Sequence, residues 1–441
     1  MRSPSFVLLL TKEFRELFAS RAFWIMLVIV GALVGHAFMT AVGLYAEMSG
    51  AGGGPAALAQ GLTPLDGVLV PTWGAYDLAA TLLFPFVAIR LIAVEKETGA
   101  LKLLLQLPGT LGVKVATKAI VLICAWLMAW IPGLVALLLW RSYGGHLYAA
   151  ETWTLLLGHL VRGALSAGLA VAAGALAESA SSAAIITLGI TVGSWALDFV
   201  AAGRGGLLQQ FASYTPTAAL RSFEQGLLRL NVVIVMLAIS CAGFAVATIW
   251  LHTGQTVRSR FSKSLVLLVV LAVVVWGGSK ARASRDSSEN RRNSFSASDE
   301  GALKRIDQPL KITVYLSPED PRLTDFEQNV LKKLRRVLPR LDVDYAATST
   351  TGLFETDRYG EIWYELGGQK VMERSTIEEV VLDQIYKLAN ADPPSRESEN
   401  EFPGYPLAAQ PQYAAWIFYL VWPLFVILIW RATKWNHGSF R

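Results

Sequence analysis

Apolar runs of about twenty residues, divided by short polar or basic stretches, recur through the first 280 residues and once more near residue 420. At a rise of about 1.5 Å per residue, each can cross a hydrocarbon core of about 30 Å as a helix. Charged residues make up 17% of the chain, well under the roughly 25% of a soluble domain. The fold class is therefore an α-helical polytopic membrane protein with about eight transmembrane helices and an inserted soluble α/β domain. The net charge of +5 is not a nucleic-acid signal. Its Lys and Arg residues sit at helix ends, where orientation and lipid headgroups account for them.

In chain order, Met1 to Arg21 is amphipathic. Phe6, Leu9, Leu10, Phe14, Leu17 and Phe18 recur at helical spacing, with Lys12, Glu13, Arg15 and Glu16 between them, so it should lie along the cytoplasmic surface. Phe23 to Val42 is the first crossing, too long and too late for a cleaved signal peptide. Gly43 to Trp73 has no Lys or Arg and fits an outer loop. Tyr76 to Val94 returns, kinked at Pro85. Ala119 to Leu139 goes out. Thr154 to Leu176 comes back, with Gly163, Ala167, Gly168, Ala172 and Gly174 allowing close helix packing. Glu178 to Ser182 is a tight inner turn. Ala183 to Val200, Val232 to Leu251, Ser264 to Trp276 and Tyr413 to Trp430 are the remaining crossings, and Gly203 to Leu230 is an outer segment. The basic inner segments place both termini in the cytoplasm and residues 280–412 outside.

The composition changes at Lys280. Residues 280–302 are rich in Ser, Arg, Asp and Asn and read as a flexible linker. Residues 303–391 form the soluble domain. Leu310 to Leu316 alternates like a strand, Arg322 to Leu338 is helical, and Leu341 to Tyr345 is a second strand, which makes a β-α-β unit. Tyr359 to Leu366 and Gln369 to Arg374 alternate about Gly367-Gly368, a hairpin signal. Thr376 to Ala389 is an amphipathic helix. A second linker, 392–412, leads to the final crossing and basic tail, 413–441. The membrane part, with the interfacial lead-in and about seven crossings, is then 1–279.

Chemistry concentrates in Arg90 to Lys118, a basic loop between the second and third crossings. There Leu101, Leu103, Leu104, Leu105 and Leu107 make a short apolar helix. Glu95, Lys96, Glu97, Thr98 and Gly99 precede it, and Pro108 with Gly109 stops it. Glu95 and Glu97 suit either a solvated helix start or ion pairs to a soluble partner. His159 and Arg162 lie one turn apart inside the fourth crossing, where charge is costly. They could line a pathway for an anionic or zwitterionic headgroup, or pair internally with Asp77 or Asp198. Lys332, Lys333, Arg335 and Arg336 form a basic run in the outer domain. With Trp363 of the hairpin they offer a partner surface there, although a solvated helix face is the plainer account. The chain has no G-x-x-x-x-G-K-[ST] loop; Gly109 to Lys114 lacks its spacing. Five His and two Cys, without H-E-x-x-H, C-x-x-C or G-x-S-x-G, give no sign of a metal, redox or hydrolase centre. No catalytic residue, cofactor or metal is expected on this chain.

The stretch EKETGALKLLLQLPGT, with its amphipathic lead-in, resembles the permease subunits of type-2 ABC exporters. The resemblance runs over about Met1 to Leu251. It implies that the Leu-rich helix is a coupling helix docking on a separate ATPase, and assigns Glu95 to Gly99, Leu101, Leu103, Leu104 and Leu105 to that contact. ATP and Mg would be bound in the partner ATPase dimer. The stretches LKITVYLSPEDPRLTDFEQNVLKKLRRVLPRLDVDY and LFETDRYGEIWYELGGQKVMERST resemble the extracytoplasmic auxiliary domain of gliding-motility-type ABC transporter components. Together these imply a fused permease and auxiliary domain in the inner or plasma membrane. Its partners would be an ABC ATPase dimer, a second or related permease copy, lipid, and an extracytoplasmic envelope protein, with no nucleic acid. The implied function is ATP-driven export. The alternative is a scaffold that passes ATPase motion to an envelope machine without transport.

Overall fold

The apolar runs fold as helices in the computed structural model, which describes residues 4–49, 62–107, 109–201, 212, 214–281, 283–317, 320–346, 358–394, 404–407 and 411–438. Among these residues, eight helical segments are long and apolar enough to span a membrane: Arg21–Ser49, Leu65–Glu97, Leu111–Ser142, Ala149–Leu176, Ala180–Val200, Leu230–Trp250, Val257–Ser279 and Ala414–Lys434. The chain divides into two compact units. One comprises Met1–Leu197, Tyr214–Ser284 and Gly404–Arg441; the other comprises Asp198–Ser213 and Arg285–Pro403.

In the first unit, α1 (Pro4–Ala19) is the amphipathic lead-in. Leu17 is buried, and Phe14 and Phe18 stack with centroids 6.1 Å apart. Helix α2 (Arg21–Ser49) buries Phe23, Val30, Val34, Phe38 and Tyr45 along one stripe, as helical spacing requires. The second span starts earlier than Tyr76. A π-helical turn, Leu65–Leu69, leads into α3 (Val70–Ala88). Leu65, Val68, Leu69 and Trp73 are buried at i, i+3, i+4 and i+8, so this part of the expected outer loop is helical. Residues 50–61 of that loop lie outside the described residues. Pro85 sits inside α3, and the chain tightens to a 3₁₀ turn at Ile89–Leu91 before Ile92 leaves helical φ/ψ.

The third span is two helices, α6 (Leu111–Met128) and α7 (Ile131–Ser142), with Pro132 in the first turn of α7, where its missing N–H costs nothing. Between α3 and α6 lie α4 (Ala93–Glu97) and α5 (Ala100–Gln106). Helix α8 (Ala149–Leu176) crosses α11 (Leu230–Trp250) at glycines. A Cβ on Gly168 would stand 2.6 Å from the Ser240 carbonyl oxygen, and one on Gly243 would stand 2.4 Å from that of Gly168. Ser240 Oγ donates to Ala164 O at 2.6 Å across the same crossing. The small residues thus admit backbone to backbone, as small-residue spacing does in lipid. Helix α9 (Ala180–Ala201) follows. Residues 203–211 and 213 of the outer segment 203–230 lie outside the described residues; α10 (Pro216–Glu224), N-capped by Thr215, lies within it. Helix α12 (Val257–Ser279) buries none of its residues, as a helix surrounded by lipid would. The final span, Ala414–Lys434, seats Trp422 against Gly31 and Phe418 against Gly35 of α2, and Trp422 Nε1 donates to Leu27 O at 2.9 Å.

In the second unit, α13 (Ala297–Leu303) precedes β1 (Leu310–Val314). Helices α14 (Pro321–Phe326) and α15 (Lys332–Val337), joined by a π-helical turn, return the chain to β2 (Leu341–Tyr345). A hairpin, β3 (Ile362–Leu366) and β4 (Gln369–Glu373), and helix α16 (Glu378–Leu388) complete it. The sheet order is β2-β1-β3-β4. β1 and β2 are parallel with Leu310 opposite Leu341, while β3 is antiparallel to both β1 and β4. Gly367 and Gly368 take φ of +59° and +84°, the two positive values a tight hairpin turn needs. The core joins Ile312, Val314 and Tyr364 of the sheet to Leu334, Val381 and Ile385 of the helices. Part of the stretch read as a linker is ordered. Asp286 accepts from Ser288 N, Asn293 N and Ser294 Oγ, and Phe295 and Leu303 enter the core. Short polar side chains that bond nearby backbone supply structure which composition alone hides. Residues 395–403 and 408–410 of the second linker lie outside the described residues.

Candidate functional site

The loop between the second and third spans is built on Gly99. Its φ of +79° is open to glycine at little cost, and it turns the chain from α4 into α5. Thr98 closes α4, its Oγ1 donating to Val94 O at 2.9 Å. Helix α5 spans seven residues and ends at Leu107, where ψ opens to 147°. Pro108, the expected stop, lies outside the described residues. Lys114 of α6 reaches back and donates to Leu105 O at 3.1 Å and Leu107 O at 2.7 Å, a cation on the carbonyl end of a helix. Leu101 and Leu104 are buried and Leu105 is half-buried, while Leu103 is 69% and Leu107 51% exposed. The short helix thus has an anchored face and an apolar face free of this chain.

Of the charged residues before α5, Glu95 turns inward, Lys96 is half-buried and Glu97 is exposed. Glu95 is 5% exposed and accepts from Lys118 Nζ at 2.7 Å and from Lys12. Lys118 also donates to both oxygens of Glu13 at 2.9 Å and to Leu91 O. Glu13, Glu16 and Glu95 bring oxygens within 4.8 Å of one another, and the ammonium groups of Lys12 and Lys118 stand among them. Burial works against the charge on Lys12, but the hydrogen bond to Glu95 and the fields of Glu13 and Glu95 outweigh it and raise its pKa. The Glu16 carboxyl is pushed up, first by burial and then by Glu95, with Lys12 opposing. Lys96 donates to Ala175 O and Ala177 O, and Glu97 accepts from Ala180 N. The carboxylates expected to face a soluble partner therefore have partners within the chain. Sequence reasoning missed Glu13, Lys114 and Lys118. The spacing of Lys114 and Lys118, one turn apart at a helix start, reads equally as interfacial anchoring.

Deeper in the first unit, Arg162 Nε donates to Asp77 Oδ1 at 3.3 Å and its NH2 to Thr81 Oγ1 at 3.2 Å. Of the two carboxylates considered from sequence, Asp77 is the one engaged here. His159, one turn away on α8, is wholly buried. Its ring lies 5.1 Å from that of Trp73 and 5.6 Å from that of Tyr76, and neither ring nitrogen has a hydrogen-bond partner among the described residues.

In the second unit the basic run does not share one fate. Lys333 is buried, donating to Glu378 at 2.7 Å with Phe295 beneath it. Arg335 reaches the Tyr345 hydroxyl at 3.2 Å, and Lys332 is exposed. Arg336 is half-buried. Trp363 donates to Glu361 at 3.0 Å, with Arg358 over its ring.

The family described as ABC-2 family transporter protein matches residues 7–278. No curated protein and no solved structure matches the chain. The family match takes in α1, the loop helix α5, the Arg162–Asp77 pair and seven of the eight spans. Extending over more than half of the 441 residues, it establishes that this multi-pass membrane chain belongs to the ABC-2 transporter family, the membrane-embedded permease components that work with an ABC ATPase.

Proposed function

We propose that this chain is the permease subunit of an ABC exporter, in which separate ATPase subunits act on α5. The observation that carries the reading is the two-sided helix. Leu101 and Leu104 are sunk into the membrane unit, while Leu103 and Leu107 stand exposed at a polar, basic loop. An apolar pair on an anchored helix suits a cleft in a soluble partner, by the same logic as helix-in-groove recognition. Closure of an ATPase dimer on ATP would then displace α5 as a rigid body and switch the bundle between two arrangements. His159 and Arg162 are the polar groups on which a headgroup or other anion would depend inside the membrane. Both termini lie in the cytoplasm in this reading. The second unit lies outside as an auxiliary domain of the gliding-motility type, facing an envelope protein.

The test is affinity purification of the full chain from its native membrane in mild detergent, with ATPase assay of the eluate. An ATPase should co-elute with the wild type and be lost with Leu103→Asp and Leu107→Asp combined. Co-elution that survives the double substitution would remove α5 from the contact. For orientation, a cysteine at Ser298 should react with an impermeant thiol reagent on intact cells; protection there would place the second unit inside.

A second reading has its own support. Arg162 is neutralised by Asp77, and His159 is sealed under Trp73 and Tyr76, so neither group lines an open passage in this conformation. A scaffold that relays ATPase motion to an envelope machine needs no such passage. ATP-dependent movement of a labelled substrate in reconstituted vesicles separates the two readings.

A further inference from the structure

Two adjacent residues of α4 grip the ends of two consecutive membrane helices. Lys96 Nζ donates to Ala175 O at 3.0 Å and Ala177 O at 2.6 Å. Those carbonyls belong to the last turn of α8 and to Ala177, where the chain leaves α8 with ψ of 150°. Glu97 accepts from Ala180 N at 2.6 Å, and Ala180 is the first residue of α9. A cation therefore meets a carbonyl end and a carboxylate meets an amide end, the favourable sign at both termini. The chain between the two helices is only residues 177–179, so the two contacts together hold the whole turn.

The apolar contact at that turn is a cluster of Ile89, Ala93, Ala173, Ala177, Ala183 and Ala184, side chains that bury little area. Gly174 keeps it close, since a Cβ there would stand 3.2 Å from Ile92 Cβ. Helix α9 is otherwise loosely seated: Ile185 is 71% exposed, and Ile190 and Val192 also face outward. On the other side, Lys96 and Glu97 are separated from α5 only by Thr98 and Gly99. Thr98 is bonded back onto Val94 through both its backbone N–H and its hydroxyl. Helix α5, its Gly99 turn and the Lys96–Glu97 pair thus form one short continuous piece.

We infer that Lys96 and Glu97 are positioning residues that carry displacement of α5 into the α8–α9 turn, which makes α9 a driven helix although it does not adjoin the loop in sequence. This rests on the reading that an ATPase acts on α5. Coupling of this kind needs a physical element that both sites bias, and the pair supplies it by holding one helix end of each sign.

The test uses the full chain with its co-eluting ATPase, with Cys124 and Cys241 replaced. Spin labels at Ile190 of α9 and Leu33 of α2 report the distance between the two helices with and without trapped ATP. In the wild type, trapping should shift that distance. In Lys96→Met with Glu97→Ala, the shift should be lost within the fraction that still carries the ATPase, and Lys96→Arg alone should retain it. If the double variant does not fold, Glu97→Gln, which keeps an acceptor but drops the charge, should weaken the shift. An unchanged shift in a folded variant overturns the inference, as does a wild type that binds ATPase yet shows no shift at α9. Absence of any co-eluting ATPase from the wild type is a different failure: it removes the underlying reading and the inference with it.

Discussion

Lys118 and Glu13, 105 residues apart in sequence, meet with Lys118 Nζ at 2.9 Å from both carboxylate oxygens, and both side chains are buried. The same ammonium holds Glu95 at 2.7 Å and the Leu91 carbonyl. One lysine of the third span thus ties the surface helix α1 to the root of the loop that carries α5. In Lys118→Met, Glu13 and Glu95 keep Lys12 alone among the described residues, and it is itself part-exposed. Removing one partner of a buried pair costs about 3–5 kcal/mol, so the melting temperature in detergent should fall clearly. Lys118→Arg should lose less, because its charge remains. Equal losses in the two variants would mean that fit, rather than charge, holds α1 in place.

The glycine crossing of α8 and α11 makes a steric prediction. A Cβ at position 168 would meet the Ser240 carbonyl oxygen at 2.6 Å, and backbone cannot step aside as a side chain can. Gly168→Val should cost at least the roughly 1–3 kcal/mol of overpacking and lower the yield of monodisperse protein. Gly189, whose Cβ would meet nothing within 4 Å, is the control, and Gly189→Val should behave as wild type. If both variants purify equally well, the two helices do not pack as closely as described.

In the second unit, Asp320 is held at about 2, chiefly by its hydrogen bonds from the Arg322 side chain. Burial opposes this, and the Tyr359 hydroxyl, donating at 2.8 Å, adds to it. A depressed carboxylate stabilises the fold above its unfolded pKa of about 4, and that contribution is lost as pH falls through about 2. The protection of the amides in Pro321–Phe326, which Asp320 also N-caps, taken relative to their intrinsic exchange rates, should therefore fall between about pH 4 and pH 2. In Asp320→Asn that protection should be lower at neutral pH and flat over that window. An acid dependence that survives the substitution would assign it to another carboxylate.

How far the sequence carries depends on whether an interaction is local. Helix α5 is legible because Gly99 and the leucine spacing mark its start and its apolar face within ten residues. The strands around Gly367-Gly368 are legible for the same reason. The partners of Glu95 are not, because Lys12 and Lys118 lie 83 and 23 residues away, and a lysine at a span's edge looks the same whether it faces lipid headgroups or a buried carboxylate. Leu65–Leu69 was hidden by the glycine-rich stretch before it. The Asp286 turn was hidden by a polar composition that ordinarily signals a mobile chain.

His159 gives the last prediction, because its cost is visible and its benefit is not. A buried polar group without a partner costs about 1–3 kcal/mol, and the imidazole presents two such nitrogens between Trp73 and Tyr76. Phe at this position keeps a ring to pack against both aromatics and removes the polar atoms. If the histidine only fills space, His159→Phe should raise the melting temperature and leave ATP-dependent activity untouched. In the permease reading, the bundle must pass through a second arrangement in which those nitrogens acquire partners, so stability should rise while coupled activity falls. Asp77 is a carboxylate already engaged, held by Arg162 one turn along α8. His159→Gln, which restores donors and acceptors without the ring, should then recover part of the activity. Melting temperatures together with ATP-driven uptake in vesicles would decide. A gain in stability with full activity would assign His159 to packing alone.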